Sequence, residues 1–165
     1  MDEIVLAKSK LRERILLNRK QRTSNNPEAF CRNLESLVSI IQPKRVALYR
    51  SYLSEPDTST FISKTSLPTI TPKVIDEANL IWEGIEETEI QKGDLLIIPA
   101  LAVDLKGNRL GRGKGYFDRE LAKLPEMVLV YAMVFDDELL SEIPVQAHDR
   151  KVNGVITESG IHKIN

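Results

Sequence analysis

Residues 109–118, RLGRGKGYFD, set Gly111, Gly113 and Gly115 in alternation with the cations Arg112 and Lys114, two positions after Arg109. Glycine lets the backbone turn sharply, so amide N–H groups can approach an anion that the cations neutralise. The pattern predicts a phosphate cradle. A helix expected to start near Tyr116 would aim its positive end at the same point. Two familiar phosphate loops are excluded. A Walker loop needs GxxxxGK followed by Ser or Thr, whereas Lys114 precedes Gly115, and the dinucleotide fingerprint needs GxGxxG after the first strand. The plainer alternative is a surface loop that is basic by chance.

Two carboxylates complete the set. Asp118 falls in the first turn of the expected helix, where the dipole alone favours it by roughly 0.3–1 kcal/mol. Beside a bound polyphosphate, a carboxylate is also what magnesium needs, since that ion combines one or two carboxylates with water and phosphate oxygens. Asp149, in AHDRKVNGVITESG, is a second candidate. The pair His148-Asp149 invites a catalytic reading, but the same pair before a strand forms a capped turn. Spacing does not decide between them.

The elements that must position these groups follow from periodicity. EIVLAKSKLRERILLNRKQR, with no breaker before Asn25-Asn26-Pro27, predicts a first helix carrying seven basic residues from Lys8 to Arg22. Asn26 as N-cap with Pro27 in the first turn opens a second helix to about Ile41, before Pro43. RVALYR reads as a strand, and Asp57 or Thr58 is placed to cap a following helix. TITPKV and ANLIWEG are further strand candidates. DLLIIPALAV reads as one central strand buried on both faces. After the glycine cluster come a helix from Tyr116 to Leu124, the strand MVLVYAMVF, a short acidic helix from about Asp136, and a last strand near residues 153–157. The order predicts an α/β fold with a mostly parallel central sheet and two N-terminal helices. With no linker, repeat or low-complexity tract, residues 1–165 are expected to form a single domain.

Composition narrows the function classes. The 165 residues carry 23 basic and 24 acidic side chains, a net charge of -1. No global field draws such a chain to nucleic acid or an anionic membrane, so any anion site is local. Cys31 is the single cysteine and there are two histidines, too few for a structural zinc site or an intramolecular disulfide. An acidic N-terminus before a short apolar run is unlike a secretory signal. The expectation is a cytoplasmic protein with no nucleic-acid or membrane partner.

Five ordered stretches together resemble the 5-formyltetrahydrofolate cyclo-ligase family, also called methenyltetrahydrofolate synthetases. GNRLGRGKGYFD at 107–118 is similar to the family's GxRLGxGxGYYD signature. KSKLR at 8–12, LYRSYLSEPDT at 48–58, IIPALAVD at 97–104 and HDRKVNGVITESG at 148–160 support it. The resemblance implies a layered α/β/α fold and a monomer. It also implies ATP- and Mg2+-dependent closure of 5-formyltetrahydrofolate to 5,10-methenyltetrahydrofolate, with release of ADP and phosphate.

Carried over by position, the resemblance makes Lys8 and Arg12 ATP-phosphate contacts. Arg109, Arg112 and Lys114 become the catalytic cations around the triphosphate, with Gly111, Gly113 and Gly115 giving close backbone approach. Arg50 and Glu55 would meet the folate, which Arg112, Lys114 and Tyr116 would share with ATP. Asp118 and Asp149 would hold magnesium.

The chain departs from the pattern at Phe117, Ala100, Val103 and Asn153, and in a short connection between Val74 and Asp94, where many relatives have a longer segment. Two alternatives therefore stand beside the leading one. One is a member that binds ATP with altered or lost folate specificity. The other is a small nucleic-acid module built on the basic loop, against which near-neutral charge and 5% aromatic content weigh.

Overall fold

The structure, a computed structural model, describes every residue except Met1, Leu53, Glu126 and His148. The catalytic reading of His148 therefore lies outside the described residues.

Helix α1 (Glu3–Lys20) starts at Asp2, whose carboxylate accepts from Ile4 N at 3.1 Å. Its buried residues are Lys8, Ile15 and Arg19, so it turns a largely charged face inward rather than an apolar stripe. Helix α2 (Pro27–Ile41) has Pro27 at its start, as expected, but Asn26 is left-handed and its side chain does not cap. Asn26 N instead donates to Ser24 Oγ at 3.0 Å. Strand β1 (Arg45–Leu48) leads through a polar loop into α3 (Ser59–Lys64). Thr58 takes the cap position there, yet the capping oxygen is Asp57 Oδ2, which accepts from Thr60 N at 3.0 Å.

Strands β2 (Thr69–Val74), β3 (Leu80–Glu83) and β4 (Glu87–Thr88) form hairpins, followed by β5 (Asp94–Pro99). The remaining elements are β6 (Ala102–Asp104), β7 (Arg109–Leu110), α4 (Tyr116–Ala122), β8 (Leu129–Met133), a 3-10 turn at Asp136–Glu138, β9 (Leu139–Leu140), β10 (Gly154–Thr157) and β11 (Gly160–Lys163). The large sheet has the order β11-β10-β8-β5-β1-β2-β3-β4. Its five middle strands, β10 to β2, pair in parallel, and antiparallel hairpins finish both edges.

Successive residues of β5 face opposite ways, so Leu95 and Ile97 meet α2 and α3 through Phe30, Leu34 and Phe61. Leu96 and Ile98 join the other core, with Trp82, Val103 and Leu121 of α4. This is the strand buried on both faces that its unbroken apolar run predicts. The expected continuation to Val103 is corrected, however. The chain leaves the large sheet after Pro99, and β6 enters a second sheet of order β7-β6-β9. Leu101 N donates to Leu110 O at 2.7 Å, and the Ala100 carbonyl accepts from Arg19 Nη2 at 2.8 Å. Helix α4 likewise stops at Ala122, two residues before the expected Leu124. No helix among the described residues is long and apolar enough to cross a membrane.

In the parallel sheet the chain runs from β1 outward to β2 and then returns to β5 on the other side of β1. The order of strands therefore reverses between β1 and β5, and a crevice opens at their carboxyl ends, the usual ligand position in open α/β sheets.

Candidate active site

That crevice is a cleft of about 1060 Å³. Tyr49 to Tyr52, then Ser54 and Glu55, line it beyond the end of β1, Pro99 and Ala100 lie at the end of β5, and α1, the glycine loop and the β2–β3 hairpin close its sides. Every site residue expected from the sequence lines it: Lys8, Arg12, Arg50, Glu55, Arg109, Gly111, Arg112, Gly113, Lys114, Gly115, Tyr116, Asp118 and Asp149.

Helix α1 contributes Lys8 and Arg12 one turn apart. Lys8 is buried, and its Nζ donates to Asp149 Oδ2 at 2.6 Å and to Gln146 Oε1 at 3.1 Å. Gln146 N donates to the same carboxylate oxygen at 2.8 Å. Arg12 Nε donates to Gly111 O at 2.8 Å, which anchors the glycine loop to the helix. Gly113 (φ +100) and Gly115 (φ +76) adopt backbone conformations that side chains disfavour. These two positions explain the loop's need for glycine.

Arg109 belongs to β7 rather than to the loop, and its side chain is only 4% exposed. Its Nη2 donates to Asp118 Oδ1 at 2.5 Å, while its Nε has no partner among the described residues. Burial pulls the guanidinium below its ordinary value and Asp118 opposes the shift; an arginine stays charged at neutral pH regardless. Asp118 lies in the first turn of α4, as expected, and there it is the ion-pair partner of Arg109.

Glu55 is held by Tyr52 N, which donates to its Oε1 at 2.8 Å, and its other oxygen lies 4.0 Å from Arg112 Nη2. Arg112, with half its side chain exposed, is only loosely held at that distance. Arg50 and Lys114 are exposed, and neither side chain has a hydrogen-bond or ion-pair partner among the described residues. The cleft thus combines fixed, buried cations with free ones. Tyr116 donates through its hydroxyl to Asp76 O at 3.0 Å.

The loop carrying Arg50 and Glu55 is built from within. Tyr49 OH donates to Pro56 O at 2.6 Å, and Thr58 Oγ1 donates to Tyr49 O at 2.7 Å. Burial pushes the Tyr49 phenol well above its ordinary value, with the Glu55 charge adding to it. Burial raises the Asp57 carboxyl, but bonds from Ser59, Thr60 and Ser51 together outweigh it and leave the group below its ordinary value.

Asp118 and Asp149 come from different elements into one cleft, and no group of three or more His, Cys, Asp or Glu suited to a metal stands among the described residues. Two carboxylates without soft ligands fit a hard ion that completes its shell with water and phosphate oxygens, as magnesium does.

Sequence reasoning missed Gln146, Arg19 and the apolar wall of Pro72, Val74 and Leu80. Arg19 makes a buried two-pronged pair with Glu138, Nε to Oε2 and Nη2 to Oε1, both at 2.8 Å. Helical spacing held the signal: Lys8, Arg12, Ile15 and Arg19 recur at intervals of four, three and four, on one face.

The profile of the 5-formyltetrahydrofolate cyclo-ligase family matches residues 69–158, more than half of the chain and including the glycine loop, both cleft aspartates and the β2–β3 hairpin. The chain belongs to this family. A 5-formyltetrahydrofolate cyclo-ligase of Mycolicibacterium smegmatis is 48% identical over 68 residues, 41% of this chain and 35% of that protein. The match to the mouse enzyme of the same name covers 34% of its length, so the chain spans about a third of each of these cyclo-ligases. The cyclo-ligase of Mycoplasma pneumoniae aligns more fully, 26% identical over 160 residues, 88% of this chain and 95% of the relative. Among solved structures, the Aquifex aeolicus 5,10-methenyltetrahydrofolate synthetase superposes with a TM-score of 0.81 at 26% identity, covering 96% of this chain and 93% of that one. The cyclo-ligase fold thus extends over nearly the whole chain, N-terminal helices included.

Proposed function

We propose that this cyclo-ligase family member closes 5-formyltetrahydrofolate to 5,10-methenyltetrahydrofolate, converting ATP to ADP and phosphate. The observation that carries the proposal is the convergence, in one cleft at the β1/β5 crossover, of the glycine loop, its cations and the loop bearing Arg50 and Glu55.

The formyl oxygen attacks the γ-phosphorus of ATP and ADP leaves, which turns a poor oxygen leaving group into phosphate. N10 of the folate then attacks the activated carbon, the C–O bond breaks, and the N10 proton is released with the phosphate. Catalysis of the first step is positioning and charge stabilisation. The Lys114 side chain, unpaired among the described residues, is available to the transferring group, and Arg109 is preorganised by Asp118 to face the charge that develops. Arg12 fixes the glycine loop, and the positive φ of Gly113 and Gly115 lets the backbone approach the phosphates closely. Glu55 offers a carboxylate to ring N–H and amino donors of the folate, with Arg50 beside it for the substrate's negative charge.

Asp118 and Asp149 would hold magnesium, which when bound neutralises phosphate charge. Lys8 and Arg109 occupy these carboxylates in the structure, so the two cations also keep them oriented. The short connection from Val74 to Asp94 still walls the cleft, through Val74 and Leu80, which favours retained folate binding over the nucleotide-only alternative.

The test is purified protein with ATP, magnesium and 5-formyltetrahydrofolate, following the methenyl product by its near-ultraviolet absorbance. Product that requires all three is expected. Its absence from the complete mixture would overturn the proposal.

A further inference from the structure

Arg119 sits in α4 just beyond the glycine loop and bridges two parts of the cleft wall. Its Nε donates to Ala78 O at 2.6 Å and its Nη2 to Lys114 O at 3.1 Å, while its guanidinium carbon lies 5.2 Å from the Tyr116 ring centroid. Gly115 makes room for it, since a Cβ there would lie 2.9 Å from Arg119 Nη1. The guanidinium presents N–H donors in a rigid plane, so one side chain can hold two carbonyls at once and also cover an aromatic face.

The turn it reaches, residues 75–79 between β2 and β3, is ordered mainly by itself. Asp76 Oδ1 accepts from Ala78 N and Asn79 N, both at 2.8 Å, and Ile75 N donates to Asn79 O at 3.1 Å. Among the described residues, its hydrogen bonds to the rest of the chain are two: Arg119 to Ala78 O and Tyr116 OH to Asp76 O. Both come from α4, and both are exposed. The strands flanking this turn carry Val74 and Leu80 into the cleft. The tie therefore joins the wall on the folate side to the backbone of Lys114 on the phosphate side.

We infer that Arg119 is a positioning residue that couples the 75–79 turn to the glycine loop, so that nucleotide and folate bind interdependently. The inference rests on the reading of the cleft as a site for both substrates. Nucleotide that orders the loop around Lys114 also fixes Arg119, which holds the turn and the apolar wall in place for the folate. By linkage, folate strengthens nucleotide binding by the same factor.

Two measurements test it. In the first, calorimetry gives the affinity for 5-formyltetrahydrofolate with and without a non-hydrolysable ATP analogue. The native protein is expected to bind folate roughly fivefold or more tightly with the analogue, the lower end of usual coupling. In Arg119→Met the ratio should fall to about one, with Arg119→Lys, which keeps the charge but not the planar fork, between them. A folded Arg119→Met protein with the native ratio would overturn the inference, as would a native ratio of one. The second measurement needs no ligand. Arg119→Met should speed amide hydrogen exchange in the 75–79 turn and at 113–116 together, by several-fold, and unchanged exchange in both segments would equally overturn the tie. If the native protein binds no folate while the exchange result holds, the functional reading fails and the mechanical coupling stands.

Discussion

Lys8 Nζ lies 2.6 Å from Asp149 Oδ2, joining the first helix to the segment before β10 across 141 positions of sequence. Both side chains are largely buried, 9% and 13% exposed. The Gln146 amide reinforces the carboxylate. A charge on α1 thereby fixes the orientation of a proposed magnesium ligand.

Breaking this pair from either side should leave a poorly solvated charge. Lys8→Met and Asp149→Asn are each expected to destabilise the fold, and the double variant by less than their sum, with a coupling of about 2 kcal/mol. Urea denaturation of the four proteins measures it. Additive effects would show that the contact contributes no net stability.

Lys114 and Arg109 should separate function from stability. The Lys114 side chain is exposed and has no partner among the described residues, so Lys114→Ala is expected to change stability by less than about 0.5 kcal/mol and to lower turnover by roughly 100-fold or more. Arg109→Ala should lower both, because the buried guanidinium fills space and pairs with Asp118. Its stability cost is about 1–2 kcal/mol, since Asp118 remains half in water. Denaturation curves alongside single-turnover rates make the comparison, and a fully active Lys114→Ala protein would remove that residue from the phosphate site.

Asp57 predicts an acid-sensitive loop. Its carboxylate caps α3 and accepts from Ser59 Oγ at 2.6 Å, next to the segment carrying Arg50 and Glu55. The folded carboxyl titrates below its ordinary value of 3.8. Its stabilisation is therefore complete above that value and is lost as pH falls through the lower folded value. Asp57→Ala should cost about 1–2 kcal/mol at pH 7, and the gap to the native protein should close in strong acid. Stability measured against pH for both proteins checks it, and a gap independent of pH would contradict the assignment.

Much of this site was legible before the fold, for local reasons. The glycine loop announces itself because Gly113 and Gly115 need positive φ, and β5 because a strand buried on both faces has no polar alternation. What the sequence hid were changes that leave polarity untouched. The passage from β5 to β6 moves between sheets, yet both strands are buried, so DLLIIPALAV carries no break. Arg109 looks like a loop cation, but the β6–β7 pairing buries it. Strand β11 follows a two-residue turn of Glu158 and Ser159, which lacks the Asn-Gly or Asp-Gly signature of a tight hairpin. The inward face of α1 carries no apolar stripe, because the burial of its Lys8 and Arg19 depends on Asp149 and Glu138, more than a hundred residues away.

Asp118 offers a metal-specific test. With ATP fixed, Asp118→Asn should move the magnesium dependence of turnover upward by roughly tenfold or more, since losing even an outer-shell partner of a metal ligand costs about 10–100-fold. An unchanged titration curve would leave Asp118 as the partner of Arg109 alone.

The proposed phosphorylation of the formyl oxygen before ring closure is decided by the fate of that oxygen. With 5-formyltetrahydrofolate labelled with heavy oxygen in the formyl group, the released phosphate should carry one labelled atom for each methenyl product formed. Methenyl product accompanied by unlabelled phosphate would contradict it.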